Sequence, residues 1–142
     1  MNTKDEKIAF GNKNQPFFEL SPLYYSTFEL FNHRWYSLMH FWVINSISDI
    51  YVQKELMQIK SIEKMIISAK KSGFVDIDII DKTSFLMSIH EAFTQDERRG
   101  MILISTGSAE LLYNAPKSYL TENNRYGKLL MRMRHIIADE TK

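Results

Sequence analysis

The stretch NNRYGKLLMRMRHII, Asn123 to Ile137, decides how the rest of the chain is read. Leu129, Leu130, Met133, Ile136 and Ile137 recur at helical spacing and make one apolar stripe, while most of Arg125, Lys128, Arg132, Arg134 and His135 fall on the opposite, solvated face. Ahead of the stripe stand an amide pair, an arginine and a glycine. Asn123 or Asn124 can serve as the N-cap, and Gly127 permits close packing on a neighbouring element. The same place has a second, compatible reading. A helix amino terminus offers unpaired N–H groups and the positive end of the dipole, so Asn124 and Arg125 together can hold a phosphate or a ribose.

Working outward, 142 residues at 44% hydrophobic content bury one ordinary core, and a split in two would leave each half too small to stand without staples. One domain, residues 1–142, is therefore expected. Eighteen basic residues against seventeen acidic give a formal charge of +1, so no global field selects nucleic acid, membrane or a polyanion, and any charge-based recognition is local. The absence of cysteine excludes disulfides, thiol catalysis and the commonest zinc cage, and suits a reducing cytosol. The first twenty residues carry Lys4, Asp5, Glu6, Lys7 and Glu19 and no long apolar run, so neither a secretory signal nor a membrane span is expected; the expectation is a soluble, cytoplasmic protein.

Nearer the start, Ile8 to Phe10 reads as a strand that breaks into a loop at Gly11, Asn12, Asn14 and Pro16. From Leu23 to Tyr36 aromatic and β-branched residues dominate, with Asn32 and His33 between two short runs, which fits a hairpin or a bent strand pair. Ser37 caps a helix through His40, Phe41, Ile44 and Asn45; Ser61 caps another, through Ile62, Met65, Ile66 and Ala69, that Gly73 stops. FVDIDIIDK, Phe74 to Lys82, alternates with period two like a short strand, although Asp81 equally introduces a helix whose Phe85, Leu86, Ile89, Ala92 and Phe93 form one stripe. Arg98 to Ile104 continues as a further helix, and Glu110 to Asn114 reads as a strand. The fold class is α+β, a small sheet surrounded by several helices, without repeats or an interdomain linker.

Several chemistries fall away on motif grounds. HEAFT, His90 to Thr94, begins like a zincin helix but lacks the second histidine four residues on, and His33, His40 and His135 stand at no ligand spacing, so no metal is expected. No Gly-x-Ser-x-Gly elbow, Walker loop or Gly-x-Gly-x-x-Gly is present, and no cofactor is expected. Trp35, Phe41 and Trp42 are core aromatics first, any one of which can also stack on a base or shape a pocket wall. Phe10 and Gly11, at the first strand's end, can form another wall, because glycine lets a backbone approach a ligand closely.

The order of the pieces resembles the NADAR superfamily and its YbiA-like members across roughly residues 8 to 135. The landmarks are a strand ending in Phe10, ELSPLYYSTFELFNHRWYSLMHF, a helical middle, HEAFTQDERRGMILISTGSAELLY and NRYGKLLMRMR. The terminal pattern of the family, Asn-x-x-Gly-x-x-Leu-Met-x-x-Arg, is complete as Asn124, Gly127, Leu130, Met131 and Arg134, and its Thr-Gly turn is present as Thr106 and Gly107 with Leu103. The resemblance implies an α+β fold and a pocket for ribosyl-phosphate or ADP-ribosyl compounds, ADP-ribosylated nucleic acid included, with N-glycosidic hydrolysis as the activity.

Such a reaction needs a carboxylate near the anomeric carbon, to stabilise oxocarbenium-like charge or to orient water, and donors that hold phosphate and ribose. Here the chain departs from the family. Met39 stands before His40 where the family places an acid, Tyr113 takes the second acidic position, Leu-Ser-Asn becomes Leu20, Ser21, Pro22, and the glutamine and lysine after the histidine become Val43 and Ser46. No catalytic residue is assigned. The expected ligand-binding residues are Phe10, Gly11, Trp35, His40, Asn124 and Arg125, with His40 and the start of the last helix facing one shared cavity. Three functions remain open: an N-glycosidase, an inactive module that binds an ADP-ribose or nucleotide-like ligand, and a structural or protein-interaction protein.

Overall fold

Side-chain caps fix where most of the helices begin in the computed structural model, which describes residues 6–77 and 81–141. Ser37 Oγ accepts from His40 N and opens α1 (Leu38–Asn45); Asp49 accepts from Tyr51 N and Val52 N and opens α2 (Ile50–Leu56). Ser61 opens α3 (Ile62–Lys71), Asp81 opens α4 (Lys82–Gln95) and Asp96 opens α5 (Glu97–Ser105) in the same way. After α3 the chain leaves the helix through Gly73, whose φ of 98° only glycine adopts without strain. The last helix, α6 (Arg125–Glu140), follows a 3-10 turn at Glu122–Asn124.

The strands form two separate pairs. β1 (Lys7–Phe10) runs parallel to β4 (Glu110–Tyr113), with Phe10 opposite Tyr113, while β2 (Phe28–Leu30) and β3 (His33–Trp35) make an antiparallel hairpin. The hairpin turns at Phe31 and Asn32, both with positive φ, one residue earlier than the Asn32–His33 break expected from the sequence. Positive φ at both central residues gives the turn the twist that adjoining strands require. The expected α+β class holds, with the strand content divided between two pairs instead of gathered in one sheet. Of the expected strand over Phe74 to Lys82, residues Phe74 to Ile77 run as irregular chain and a bend without strand pairing, and Asp78 to Ile80 lie outside the described residues.

Every residue of α1 from Leu38 to Ile44 is buried, so this helix, apolar except at His40, is the axis of the core and packs on α2, α3, α4 and β3. Trp42 lies face to face with Phe85 at 4.7 Å, meets Tyr126 edge-on at 5.5 Å, and donates its indole N–H to Ser88 Oγ at 2.9 Å. Truncating a side chain packed in this way costs about 3–5 kcal/mol. A second knot forms around Arg99, buried on α5: its Nε donates to Glu19 O at 2.6 Å, its Nη2 to Ser21 O at 2.8 Å, and its guanidinium lies over the Phe93 ring at 4.3 Å. The loop after β1 is thereby tied to α5.

Gly127 explains how α6 lies on β4. A Cβ at this position would stand 2.3 Å from Leu111 O and 2.4 Å from the Asn124 amide, so only glycine allows the helix this close to the strand. Farther along α6, Arg134 Nη1 donates to Ala109 O at 2.8 Å and to Thr106 Oγ1 at 3.0 Å. The terminal motif residues Asn124, Gly127 and Arg134 thus join α6 to β4 and to the turn before it. Among the described residues no helix is long and apolar enough to cross a membrane.

Candidate functional site

Met39 and Val43 are one helical turn apart on α1 and therefore share a face, which opens on a cavity of about 320 Å³. Tyr113, at the end of β4, closes another side, and Asn12, Lys70, Asp76 and Lys117 bring polar groups to the wall. Three positions at which the family resemblance expects polar groups, Met39, Val43 and Tyr113, so come together at one place. They bring a thioether, an isopropyl group and a phenol. Burial pushes the Tyr113 hydroxyl up to about 12, so across the physiological range it is a neutral donor and cannot act as a base.

Among the described residues that line this cavity, Asp76 is the one carboxylate. It is held in place: Oδ1 accepts from Ile77 N at 2.7 Å and Oδ2 accepts from Tyr119 N at 2.9 Å. Lys70 comes from the last turn of α3 and Lys117 from the loop after β4, so the two amines reach the cavity from different elements. No local sequence signal marks Asp76, Lys70, Lys117 or Asn12 as site residues. Each is a polar residue in an unremarkable local context, and only the tertiary fold brings them together.

His40 turns away from this cavity. Its Nε2 lies 2.8 Å from Ile59 O and its Nδ1 lies 2.7 Å from Ser37 Oγ. A carbonyl can only accept, so Nε2 carries the proton and the neutral ring accepts the Ser37 hydroxyl at Nδ1. Burial lowers the His40 pKa against the opposing pull of the Ile59 carbonyl, which keeps this neutral form in place. Both ring nitrogens are therefore committed to the protein.

The other expected site residues sit as follows. Phe10 is fully buried against Tyr113 and Tyr126, at 5.6 and 6.0 Å between ring centroids, and forms a layer behind Tyr113. Gly11 has a φ of 150°, and a Cβ there would meet Asn114 O at 2.4 Å, so its freedom serves the close approach of backbone to backbone. Trp35 is buried, edge-on to Phe41 at 5.0 Å, with its indole N–H donating to Leu30 O at 3.0 Å. Asn124 stands at the N-cap position of α6 but makes no side-chain cap; its amide bonds β4 instead. Neither His40 nor Asn124 lines this cavity or the two described next.

Arg125, by contrast, borders a cavity. That space, about 360 Å³, is also bordered by Lys82, Phe85, Tyr119, Asn123 and Lys128. It shares a wall with the Met39 cavity, since Ser118 and Leu120 face one and Tyr119 the other. A further depression of about 470 Å³, carrying Lys13, Phe18, Tyr25 and Lys60, adjoins the Met39 cavity through Asn12 and Leu23, which line both. Among the described residues no group of three or more histidines and carboxylates is placed to hold a metal ion.

The molecule is thus an α+β protein in which a buried central helix, a parallel strand pair and a clamped terminal helix surround a mixed polar and apolar cavity. That arrangement is the fold of the Escherichia coli protein YbiA: its NMR structure superposes with a TM-score of 0.79 at 18% sequence identity, over 99% of this chain and 89% of that one. No protein-family model matches the sequence. No curated protein matches it either.

Proposed function

We propose that this chain is a NADAR-type protein that binds a ribosyl-phosphate or ADP-ribosyl compound in the cavity between Met39 and Tyr113. The observation that carries the reading is the convergence of Met39, Val43 and Tyr113 on a single cavity furnished with two lysines. Lys70 and Lys117 supply charge for a phosphate, Asn12 and the neutral Tyr113 hydroxyl supply hydrogen bonds for ribose, and Met39, Val43, Leu23 and Ile66 offer an apolar wall to the aglycone. The volume of about 320 Å³ suits a ribosyl phosphate, and the adjoining depression offers room to a longer ligand. Titration calorimetry with ribose 5-phosphate and with ADP-ribose tests this. Saturable binding weakened at least tenfold in Lys70→Gln/Lys117→Gln is expected, and an absence of saturable binding for both ligands overturns the assignment.

A second reading, hydrolysis of an N-glycosidic bond, is favoured by the position of Asp76 alone. Its fixed carboxylate would face the anomeric carbon, stabilise the oxocarbenium-like charge and orient the attacking water, while the base leaves with a proton. Under this reading a panel of phosphoribosylamino compounds, ADP-ribosylated nucleic acid and NAD includes a substrate that releases free base, and Asp76→Asn abolishes release while retaining ligand binding.

A further inference from the structure

The cavity around Arg125 is distinct from the one that carries the proposed function, and its chemistry differs. Three cations, Lys82, Arg125 and Lys128, border it against a single carboxylate, Glu122, and none of these four takes part in an ion pair among the described residues. Arg125 is already oriented. Its Nη1 donates to Tyr119 O at 2.7 Å and its guanidinium lies 3.8 Å above the centre of the Tyr119 ring, so the side chain has given up most of its rotamer freedom before any ligand arrives. Tyr119 holds it on one face only, and the remaining N–H donors of the fork make no hydrogen bond within the described protein. Asn123, with a positive φ of 53°, brings an amide to the same rim, while Phe85 and Leu129 give the floor an apolar side.

Lys82 is the first residue of α4, whose start the Asp81 carboxylate already caps, and Arg125 is the first of α6, which has no side-chain cap, so the positive end of α6 borders the space. A surplus of two positive charges, a guanidinium fixed with donors to spare and a volume of about 360 Å³ are the requirements of an oxyanion host larger than a bare anion demands. We propose that the cavity bounded by Lys82, Arg125 and Lys128 is a binding site for a phosphate group, free or carried on a small ester, separate from the ribosyl-phosphate cavity. The guanidinium would meet two phosphate oxygens, the lysines would neutralise the remaining charge, and the organic part of an ester would lie against Leu129 and Phe85.

The experiment is a titration of the whole chain, followed by amide chemical shifts, with inorganic phosphate in one arm and glycerol 3-phosphate in the other. Saturable shifts confined to residues 82–85 and 119–129, and an affinity at least tenfold lower in Lys82→Gln/Lys128→Gln, are the expected result. Both lysines are exposed, so the double variant tests binding without disturbing the core. Tighter binding of the ester identifies an organic phosphate as the ligand, whereas equal binding in both arms identifies the free ion. Absence of saturation in both arms, or an unchanged affinity in the double variant, overturns the site. Neither outcome touches the ribosyl-phosphate cavity, whose lysines are Lys70 and Lys117.

Discussion

The side chain of Asn124 completes the hydrogen bonding of Tyr113: its Oδ1 accepts from the Tyr113 backbone N–H at 3.0 Å, and its Nδ2 reaches back to Leu111 O at 2.8 Å. The amide thus acts as a further strand residue on the open edge of β4, planted at the start of α6. Asn124→Ala leaves a partly buried donor and acceptor without partners, and its expected cost is about 2 kcal/mol, because each such group loses about 1–3 kcal/mol of solvation it does not recover. Asn124→Asp keeps the acceptor for Tyr113 and loses the donor for Leu111 O, so it is expected to lie between the two. Urea denaturation followed by circular dichroism checks the order.

Gly127 gives a sharper version of the same test, since its sign runs against helix propensity. An exposed Gly→Ala change inside a helix stabilises by about 1 kcal/mol. At Gly127 the new methyl would stand 2.3 Å from Leu111 O and 2.4 Å from Asn124 Oδ1, so α6 must lift off β4. Gly127→Ala is expected to destabilise by more than about 2 kcal/mol, and a midpoint equal to or above that of the parent would show that the helix is free to shift.

Arg99 tests the tie between the loop after β1 and α5. Arg99→Met keeps much of the volume but strands the Glu19 and Ser21 carbonyls and removes the cation from the Phe93 face. The expected loss is about 3 kcal/mol by denaturant titration. Arg99→Lys is expected to recover little of it, because a single ammonium cannot reproduce the planar fork that reaches two carbonyls at once.

His90 couples α4 to the end of α6, and its effect depends on pH. Nδ1 lies 2.8 Å from Glu91 and Nε2 lies 2.7 Å from Glu140, and only the imidazolium donates to both carboxylates. Partial burial pulls its pKa down, yet the hydrogen bonds and charges of Glu140 and Glu91 outweigh it, and the net direction is upward. A histidine whose folded pKa lies above its unfolded value of about 6.5 contributes stability that is complete below that value and is lost as pH rises through the folded one. Denaturation midpoints are therefore expected to fall between mildly acidic and mildly alkaline pH. Glu140→Gln should flatten that slope, by less than about 1 kcal/mol since the pair is half-exposed.

Much of the helical part of the fold was legible in particular residues. Ser37, Ser61 and Asp81 cap the helices they were expected to cap, Gly73 ends α3, and the stripes of α4 and α6 face the core. These signals are local, and the chain obeys them locally. The partner of β1 carries no such signal: residues 7–10 pair in parallel with residues 110–113, a choice made by packing across a hundred intervening positions. α2 carries no such signal because its apolar positions, Ile50, Val52 and Leu56, are few and only Leu56 is buried. The candidate site was legible as a set of positions and not as a set of atoms. Met39 and His40 are neighbours in sequence, but a rotation of about 100° per residue sends one to the cavity and the other to Ile59.

Met39 is also where the chemistry of the cavity can be changed by design. It is nearly buried, it shares a helical face with Val43, and Tyr113 lies across the same space. Met39→Glu would place a carboxyl group there with no basic residue on its own face of α1. Burying it costs about 2–3 kcal/mol, and lost hydration together with the Asp76 carboxylate of the same cavity raises its pKa against the opposing pull of Lys70 and Lys117. A carboxyl so raised can pass a proton near neutrality, which is what departure of an N-linked base requires. Under the binding reading proposed above, Met39→Glu is therefore expected to release free base from an N-ribosyl phosphate on which the parent shows no turnover, with a rate that passes through a maximum near neutral pH. Chromatography of the products measures the release, and calorimetry on the same sample separates lost binding from absent chemistry. Unimpaired binding with no base released over the neutral range would place the anomeric carbon away from α1, and would move the assignment of the reacting end of the ligand toward Asp76.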